Sequence, residues 1–295
     1  MISSEIYRKV RRIEISTKEM VRDTFSGAYQ SVFKGQGMEF QEVRPYNPGD
    51  EIRFIDWNVT ARMGTPYIRQ YREQRERTVM LVLDASQSSN FGSTKRFKRE
   101  LSAEISAVIA FSATNNNDKV GLMIFTDNIE LYVPPRKGRT HVLRIIREMI
   151  AFNASGRGTD IRLALETINR VLNKHSIIFL ISDFLTSPLG YSQAISLTNR
   201  RHDIIAIDIQ DPLEKHIPSM GIVMLEDSET SESYAVDTSD ARWRKAFASE
   251  VENFTSSKMD VFYKAGVDRI PVTTEKDYID DLALFFRKRS RRFKS

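Results

Sequence analysis

The stretch Thr78-Val-Met-Leu-Val-Leu-Asp84-Ala-Ser86-Gln-Ser88 decides the fold. It contains the apolar run Val79–Leu83, which is typical of a strand buried on both faces of a sheet. Asp84, Ser86 and Ser88 follow at once, so we expect them in the loop at the carboxyl end of this strand. Open α/β sheets bind their ligands at that edge. The stretch therefore predicts a central strand and places candidate functional residues beside it.

The pattern continues along the chain, because apolar runs alternate with segments of helical period. This alternation predicts an α/β fold: a doubly wound, mostly parallel sheet with helices on both faces. The predicted strands are Val79–Leu83, Val120–Phe125, Ile177–Ile181 and Ile204–Ile207, with Ile129–Val133 as a hairpin partner. The predicted core-facing helices carry Phe97, Leu101, Ile105 and Val108, then Leu143, Ile146 and Ile150, then Ile161, Leu165, Ile168 and Leu172.

Composition divides the chain into two regions. Residues 1–76 are predicted to be an accessory region, with a helix carrying Ile6, Val10 and Ile13 before turns and short strands rich in glycine, proline and aromatic residues. Residues 77–295 form the main domain, with a hairpin insertion around 218–238. The predicted elements of its last part are the hairpin strands Gly221–Glu226 and Ser233–Val236, a helix from about 239 to 264, a strand Arg269–Val272 and a helix Asp277–Arg287.

Two absences narrow the class of protein. The chain has no cysteine, which excludes disulfides, thiolate metal sites and cysteine nucleophiles and fits a reducing compartment. It also has no apolar run near the ~20 residues that span a bilayer, and its first residues lack a secretory signal. We therefore expect a soluble, cytoplasmic protein.

Positive charge is concentrated at the end of a chain whose net charge is +5. The six cations near the C-terminus are Arg287, Lys288, Arg289, Arg291, Arg292 and Lys294. We interpret them as a solvated, frayed helix end whose charges suit the helix dipole. Binding of nucleic acid or an anionic membrane surface is the alternative.

Two further loops reach the same edge of the predicted sheet. Gly156-Arg-Gly-Thr159-Asp160 opens a helix, and Asp183 follows the strand Ile177–Ile181. With right-handed crossovers, these loops converge on the loop of Asp84 near the switch point of the sheet. The candidate metal ligands are Asp84, Ser86, Ser88, Thr159 and Asp183.

This donor set contains only oxygen, which suits Mg²⁺ or Mn²⁺ better than zinc. Two carboxylates opposite a divalent cation leave the metal electron-poor, so it can accept a carboxylate from outside. The structural alternative is that Thr159 and Asp183 cap helices or turns and that Ser86 and Ser88 satisfy a turn.

These residues are similar to the von Willebrand factor A-like pattern of an Asp-x-Ser-x-Ser loop, a Gly-Thr-Asp loop and a strand-end Asp. The wider chain resembles the bacterial family called domain of unknown function 58. The family signature stands here as Gly35, Gly37, Glu39, Phe40, Arg44, Tyr46, Gly49, Asp50, Ile55, Asp56 and Trp57, followed by Thr60-Ala-Arg62. Asp211-Pro-Leu-Glu and Leu225-Glu-Asp-Ser-Glu-Thr are also similar to the family, so the resemblance covers nearly the whole chain.

The resemblance implies a von Willebrand factor A-like domain with a metal-ion-dependent adhesion site, and a MoxR-type AAA+ ATPase as partner in the assembly or activation of other proteins. Many relatives carry N-terminal membrane spans, which this sequence does not show, so we expect no transmembrane segment. For the signature around Asp56 and Trp57 we favour a structural role over a partner surface.

The sequence therefore predicts a non-enzymatic protein-binding module with no catalytic residues and no specific nucleic acid partner. One alternative is a metal-dependent phosphatase with Asp84 as nucleophile. Against it, position 86 is Ser where such an enzyme would place a second acid, and the three loops contain no lysine or histidine.

Overall fold

The computed structural model describes residues 8, 11–15, 29, 32, 38–73, 76–94, 96–226 and 232–292. The chain divides into two compact units: Phe33–Arg77, and Thr78–Ser295 together with Met1–Val32. The division before Thr78 lies next to the predicted boundary after residue 76, while residues before 33 group with the larger unit. Ile13 lies in a helical stretch, and Ile6 and Val10 lie outside the described residues.

The smaller unit is built on an antiparallel pair of strands. Its elements are β1 (Met38–Pro45), a 3-10 turn (Ile52–Phe54), α1 (Trp57–Met63) and β2 (Tyr67–Glu73). Asp56 caps α1 by accepting hydrogen bonds from the backbone N–H groups of Asn58 and Val59, and its other oxygen accepts from Arg69 Nε at 2.7 Å. The family-like Asp56 is thus structural, whereas Trp57 beside it is 68% exposed.

The larger unit alternates strands and helices. In chain order its elements are β3 (Thr78–Asp84), α2 (Lys98–Asn115), β4 (Lys119–Phe125), β5 (Ile129–Arg136), α3 (Arg139–Ala151), α4 (Ile161–Val171), β6 (Ile177–Ser182), α5 (Pro188–Arg201), β7 (Asp203–Gln210), α6 (Pro212–Lys215), β8 (Ile222–Glu226), β9 (Ser233–Asp237), α7 (Ala241–Ala265), β10 (Asp268–Thr273) and α8 (Tyr278–Arg292).

Over the described residues, the central sheet has six strands in the order β10-β7-β6-β3-β4-β5. Five are parallel, and β5 returns antiparallel to β4 as the predicted hairpin. All four predicted central strands are confirmed, and the short strand predicted at Arg269–Val272 is the edge strand β10. The order places β3 and β6, with their polar C-terminal residues, side by side at the centre.

Helices cover both faces of this sheet. Met80 and Val82 of β3 pack in one cluster with Leu165 of α4, Ile195 of α5 and Phe262 of α7. The alternate residues of β3 are equally buried and point to the opposite face, where α2 packs on β3 and β4. The predicted α/β fold class, a doubly wound and mostly parallel sheet, is confirmed.

Two details of the predicted helices were wrong. Phe97 precedes α2 as its N-cap residue and is 52% exposed, because the helix starts only at Lys98. In α3 the buried stripe is Val142, Ile145, Ile146 and Met149, while Leu143 and Ile150 are only partly buried. A helix with apolar residues at both sets of spacings allows two stripes, and packing against α2 selects one. Helix α5 had not been predicted.

The C-terminal part follows the prediction closely. Strands β8 and β9 pair as the expected antiparallel hairpin, although its predicted turn at residues 227–230 lies outside the described residues. The helix end predicted to be solvated and frayed is instead anchored at Arg289, which is buried and binds Asp203 at 2.6 Å and Asp268 at 3.2 Å. Within the described ranges, no helix is both long and apolar enough to cross a membrane.

Candidate metal centre

The loops that carry the predicted ligands meet at the carboxyl edge of the sheet. Ser182, at the end of β6, donates from Oγ to Asp84 Oδ2 at the end of β3 over 2.6 Å. The backbone N–H of Gln87 donates to the carbonyl of Arg157 over 3.0 Å, which joins the first loop to the loop of Thr159. These two bonds hold all three loops together, as the sequence predicts.

The first loop gathers three of the five candidates. Asp84 Oδ1 accepts from the backbone N–H of Ser86 at 2.9 Å, and the hydroxyl oxygens of Ser86 and Ser88 lie 3.0 Å apart. Ser89 Oγ donates to the carbonyl of Ser86 at 2.7 Å and closes the turn. Asp84 and Ser86 are buried, while Ser88 is half-buried. One carboxylate at the end of β3 and two hydroxyl groups are thus held together at the start of a 3-10 turn, Gln87–Asn90.

Asp183 faces a lysine that the sequence analysis did not include. Lys98 Nζ, from the first turn of α2, donates to Asp183 Oδ2 at 2.5 Å and to Glu214 Oε1 of α6 at 2.5 Å. The lysine side chain is only 2% exposed. The other oxygen of Asp183 accepts from the backbone N–H of Leu185 at 3.1 Å. The carboxylate predicted to face a cation is therefore already shared with an ammonium group.

Thr159 lies in the third loop, whose position is set by close packing. Asp160, rather than Thr159, caps α4 by accepting from the N–H of Leu163 at 2.8 Å. A side chain at Gly156 would place its Cβ 2.2 Å from Thr126 Oγ1, so only glycine fits there. Thr159 is half-buried, and among the described residues no hydrogen bond joins it to Asp84 or Asp183.

Burial shapes the electrostatics of the centre. It raises the pKa of Asp84 to about 6, with a further contribution from the Asp183 carboxylate, although hydrogen bonds from Ser182 and Ser86 act in the opposite direction. Burial also raises the pKa of Glu214, which Lys98 only partly offsets. For Lys98 itself, burial lowers the pKa, but Asp183 and Glu214 outweigh it and the net shift is upward. Lys98 is therefore a fixed positive charge at neutral pH.

The donor set fits a hard cation with one departure. A small cavity is lined by Asp84, Asp183, Lys98, Ile209 and three serines, Ser89, Ser102 and Ser182, whereas the predicted ligands Ser86, Ser88 and Thr159 do not line it. In the part of the chain that the structure describes, no group of three or more histidine or carboxylate side chains is placed to hold a metal. A metal held here depends on serine and threonine oxygens, and Lys98 is the departure from a pure oxygen site.

Sequence reasoning missed Lys98, Glu214 and Ser182. The stretches that carry the predicted ligands, 84–88, 156–160 and 182–183, contain no lysine, but α2 brings Lys98 to the centre from outside them. A signal for Glu214 was present, because Asp211 and Glu214 form a capping box that marks the start of α6. Ser182 directly precedes the predicted ligand Asp183, and this position was the signal for it.

Comparison with known proteins identifies the family. The family described as protein of unknown function DUF58 matches residues 42–256. The chain belongs to the DUF58 family. This DUF58 protein is 30% identical over 287 residues to the uncharacterized protein Rv1480 of Mycobacterium tuberculosis, a match that covers 96% of this chain and 89% of that protein. It is 23% identical over 128 residues to the uncharacterized protein YeaD of Bacillus subtilis, covering 43% of this chain and 30% of the relative.

Similar solved structures include von Willebrand factor A domains. A von Willebrand factor type A structure from Catenulispora acidiphila covers 73% of this DUF58 chain and 42% of its own, with 11% identity and a TM-score of 0.40. The conserved hypothetical protein BatB from Bacteroides thetaiotaomicron covers 73% of this chain and 99% of its own, with 14% identity and a TM-score of 0.48. The sheet order and two-sided helix cover described above are the doubly wound, mostly parallel α/β architecture that the sequence predicts.

Proposed function

We propose that this DUF58 protein is a non-enzymatic protein-binding module that works through a metal-ion-dependent adhesion site. Asp84, Ser86, Ser88, Thr159 and Asp183 hold Mg²⁺ or Mn²⁺, and an Asp or Glu of a partner completes the shell of the ion. The observation that carries the proposal is the buried Asp84 carboxylate, fixed by Ser86 and Ser182 at the edge where the three loops meet.

The position of Asp84 suits a metal ligand. Each of its oxygens accepts a hydrogen bond, one from the Ser86 backbone and one from the Ser182 hydroxyl. These bonds fix the direction of the carboxylate, as the neighbours of a metal ligand do, and leave each oxygen a lone pair for a cation.

Isothermal titration calorimetry with Mg²⁺ and Mn²⁺ tests the metal site. We expect the native chain to bind both ions and the double variant Asp84→Ala, Ser86→Ala to lose binding, because one carboxylate and one hydroxyl are removed. The matched control changes an Asp and a Ser of a remote exposed loop, Asp240→Ala with Ser239→Ala, and should bind like the native chain. Equal binding by the native chain and the Asp84 double variant would refute the site.

The proposed partner is a MoxR-type AAA+ ATPase, and the resemblance to the family is its only support. A pull-down between the two proteins, with and without EDTA, tests the partnership and its metal dependence together. Association that survives both EDTA and the Asp84 double variant would separate the partner from the metal site.

Lys98 favours keeping one second candidate, the metal-dependent phosphatase. A buried ammonium beside Asp183 is a group that can stabilise a phosphoryl anion. Turnover of a phosphate ester by the native chain, abolished by Asp84→Asn, would place this candidate first. Ser at position 86, where a second acid would be needed, argues against it.

A further inference from the structure

The position of Lys98 in α2 is unfavourable for the stability of the helix. It is the first residue of α2, so its positive charge lies at the positive end of the helix dipole. It is also 2% exposed, and burial of an ammonium is unfavourable unless partners compensate for the lost water. The Phe91 ring, 5.9 Å from Nζ, adds a weak cation–π contact. The role of Lys98 lies in its two carboxylate partners.

Those partners connect the lysine to the proposed ion. Nζ lies 2.5 Å from Asp183 Oδ2 and 2.5 Å from Glu214 Oε1, and Lys98 lines the same cavity as Asp84 and Asp183. Among the described groups, two carboxylates and one ammonium thus line this small volume, and the Glu214 carboxylate contacts the ammonium from outside it. A divalent cation at Asp84 and Asp183 would face the positive charge of Lys98 across it, in surroundings where water screens little.

We propose that Lys98 is a built-in cation of the site, which competes with the divalent ion for the Asp183 carboxylate. This inference rests on the proposed function and assigns regulation to the same site. Because Asp183 shares its charge with Lys98, the metal ion receives less negative charge from the protein and keeps more attraction for a carboxylate from outside. Lys98 therefore weakens binding of the ion when no partner is present. It favours binding of the ion together with an acidic group of a partner.

Glu214 is the alternative acceptor for the ammonium. Its Oε1 accepts from Lys98, while Oε2 accepts from the backbone N–H of Asp211 and so keeps the side chain in place. When an ion engages Asp183, Lys98 retains Glu214 as a partner and stays compensated. Loss of the Glu214 charge leaves Asp183 as the only one of these two carboxylates for Lys98, which strengthens the competition.

The test is Mn²⁺ and Mg²⁺ titration of charge variants of the full chain. Lys98→Met should bind Mn²⁺ about tenfold more tightly or better, since a nearby positive charge is removed. Glu214→Gln should bind several-fold more weakly. A residue that only supports the fold would weaken binding in both variants, so opposite signs identify the electrostatic role.

Arg289→Met is the matched control. Arg289 is also buried and binds Asp203 at 2.6 Å and Asp268 at 3.2 Å, at the amino ends of β7 and β10 and so at the opposite edge of the sheet, and its loss also leaves carboxylates short of a partner. Its ion affinity should stay at the native value. Thermal unfolding in EDTA reports whether each variant folds, and Lys98→Gln replaces Lys98→Met if the latter does not.

The outcomes separate this inference from the proposed function. Native binding together with unchanged or weaker binding by the folded Lys98 variants overturns the inference and leaves the metal site standing. No Mn²⁺ binding by the native chain, but binding by Lys98→Met, supports the inference and overturns the native adhesion site. If no form binds Mn²⁺, both are wrong.

Discussion

Asp84 is buried beside Asp183, and among the described residues it accepts hydrogen bonds from the Ser86 backbone N–H and the Ser182 hydroxyl but from no cation. Lys98 donates instead to Asp183 and Glu214. Without a metal ion, the charged form of Asp84 is therefore unfavourable in the folded chain. At neutral pH the Asp84 carboxylate thus lowers the stability of the fold.

This cost predicts that the stability of the folded chain depends on pH. The folded pKa of Asp84, about 6, lies above its ordinary value of 3.8, so folding favours the protonated carboxyl. Its contribution to stability is fully present below about pH 4 and is lost as the pH rises through about 6. Asp84→Asn removes this loss, so in EDTA at about pH 7.5 we expect it to be more stable than the native chain by about 1–3 kcal/mol.

Urea unfolding at several pH values measures the difference. The two chains should converge below about pH 4, where Asp84 is protonated in both the folded and the unfolded chain. Asp240→Asn, at an exposed helix cap, controls for the substitution itself. A stability difference that is the same at both ends of the pH range would show that the burial of Asp84 carries no such cost.

The sequence predicts the residues of the site that lie at the end of a strand. It does not predict the residues that reach the site through tertiary contacts. Asp84 is the last residue of a buried strand and Asp183 directly follows another, so their position was predictable. Lys98 meets Asp183 across 85 positions and Glu214 across 116, and no local pattern encodes such a meeting. The tertiary fold alone supplies the positive charge of the site.

At the scale of elements, apolar strands were predicted accurately because burial on both faces leaves little choice of residue. The helices were less certain, since α3 offers two apolar stripes and α5 shows no simple one. The loop before α4 is held by hydrogen bonds to a distant residue rather than by hydrogen bonds within the loop. Glu130 of β5 accepts from the backbone N–H groups of Ser155 and Gly156 and from the Ser155 hydroxyl.

Gly156→Ala tests that loop. The new Cβ would lie 2.0 Å from Asp127 Oδ1 and 2.2 Å from Thr126 Oγ1, and Thr126 is fully buried and bonded to Glu130. We expect a loss of stability of about 1–3 kcal/mol, as for other overpacked sites, and weaker Mn²⁺ binding because the Thr159 loop must shift.

Gly158→Ala is the control two residues away. Its Cβ would meet Asp127 Cβ at 3.6 Å, an ordinary contact, so stability and Mn²⁺ affinity should barely change. Chemical unfolding and calorimetry on both variants give the comparison. Equal behaviour of the two alanine variants would contradict close packing as the reason for glycine at 156.

At the scale of the whole molecule, the net charge is +5 and many of the cations lie in the C-terminal helix. Ion pairs within the fold compensate some of these cations. Arg289 and Arg292 form ion pairs with Asp203 and Asp268, which ties α8 to β7 and β10. Lys294 lies outside the described residues. The exposed cations that α8 offers to an anionic surface are Arg287, Lys288 and Arg291, together with the largely exposed Arg292.

Charge variants decide between anchoring and surface binding. Arg289→Ala should destabilise the chain by about 1–3 kcal/mol, because two partly buried carboxylates lose a partner. The triple variant Arg287→Gln, Lys288→Gln, Arg291→Gln should stay within about 0.5 kcal/mol of the native chain. Flotation with phosphatidylserine vesicles at low salt should show no binding that the triple variant removes. The opposite result would be vesicle binding that the triple variant loses, together with unchanged stability of Arg289→Ala. It would show that the charges of α8 bind a membrane surface rather than anchor the helix to the fold.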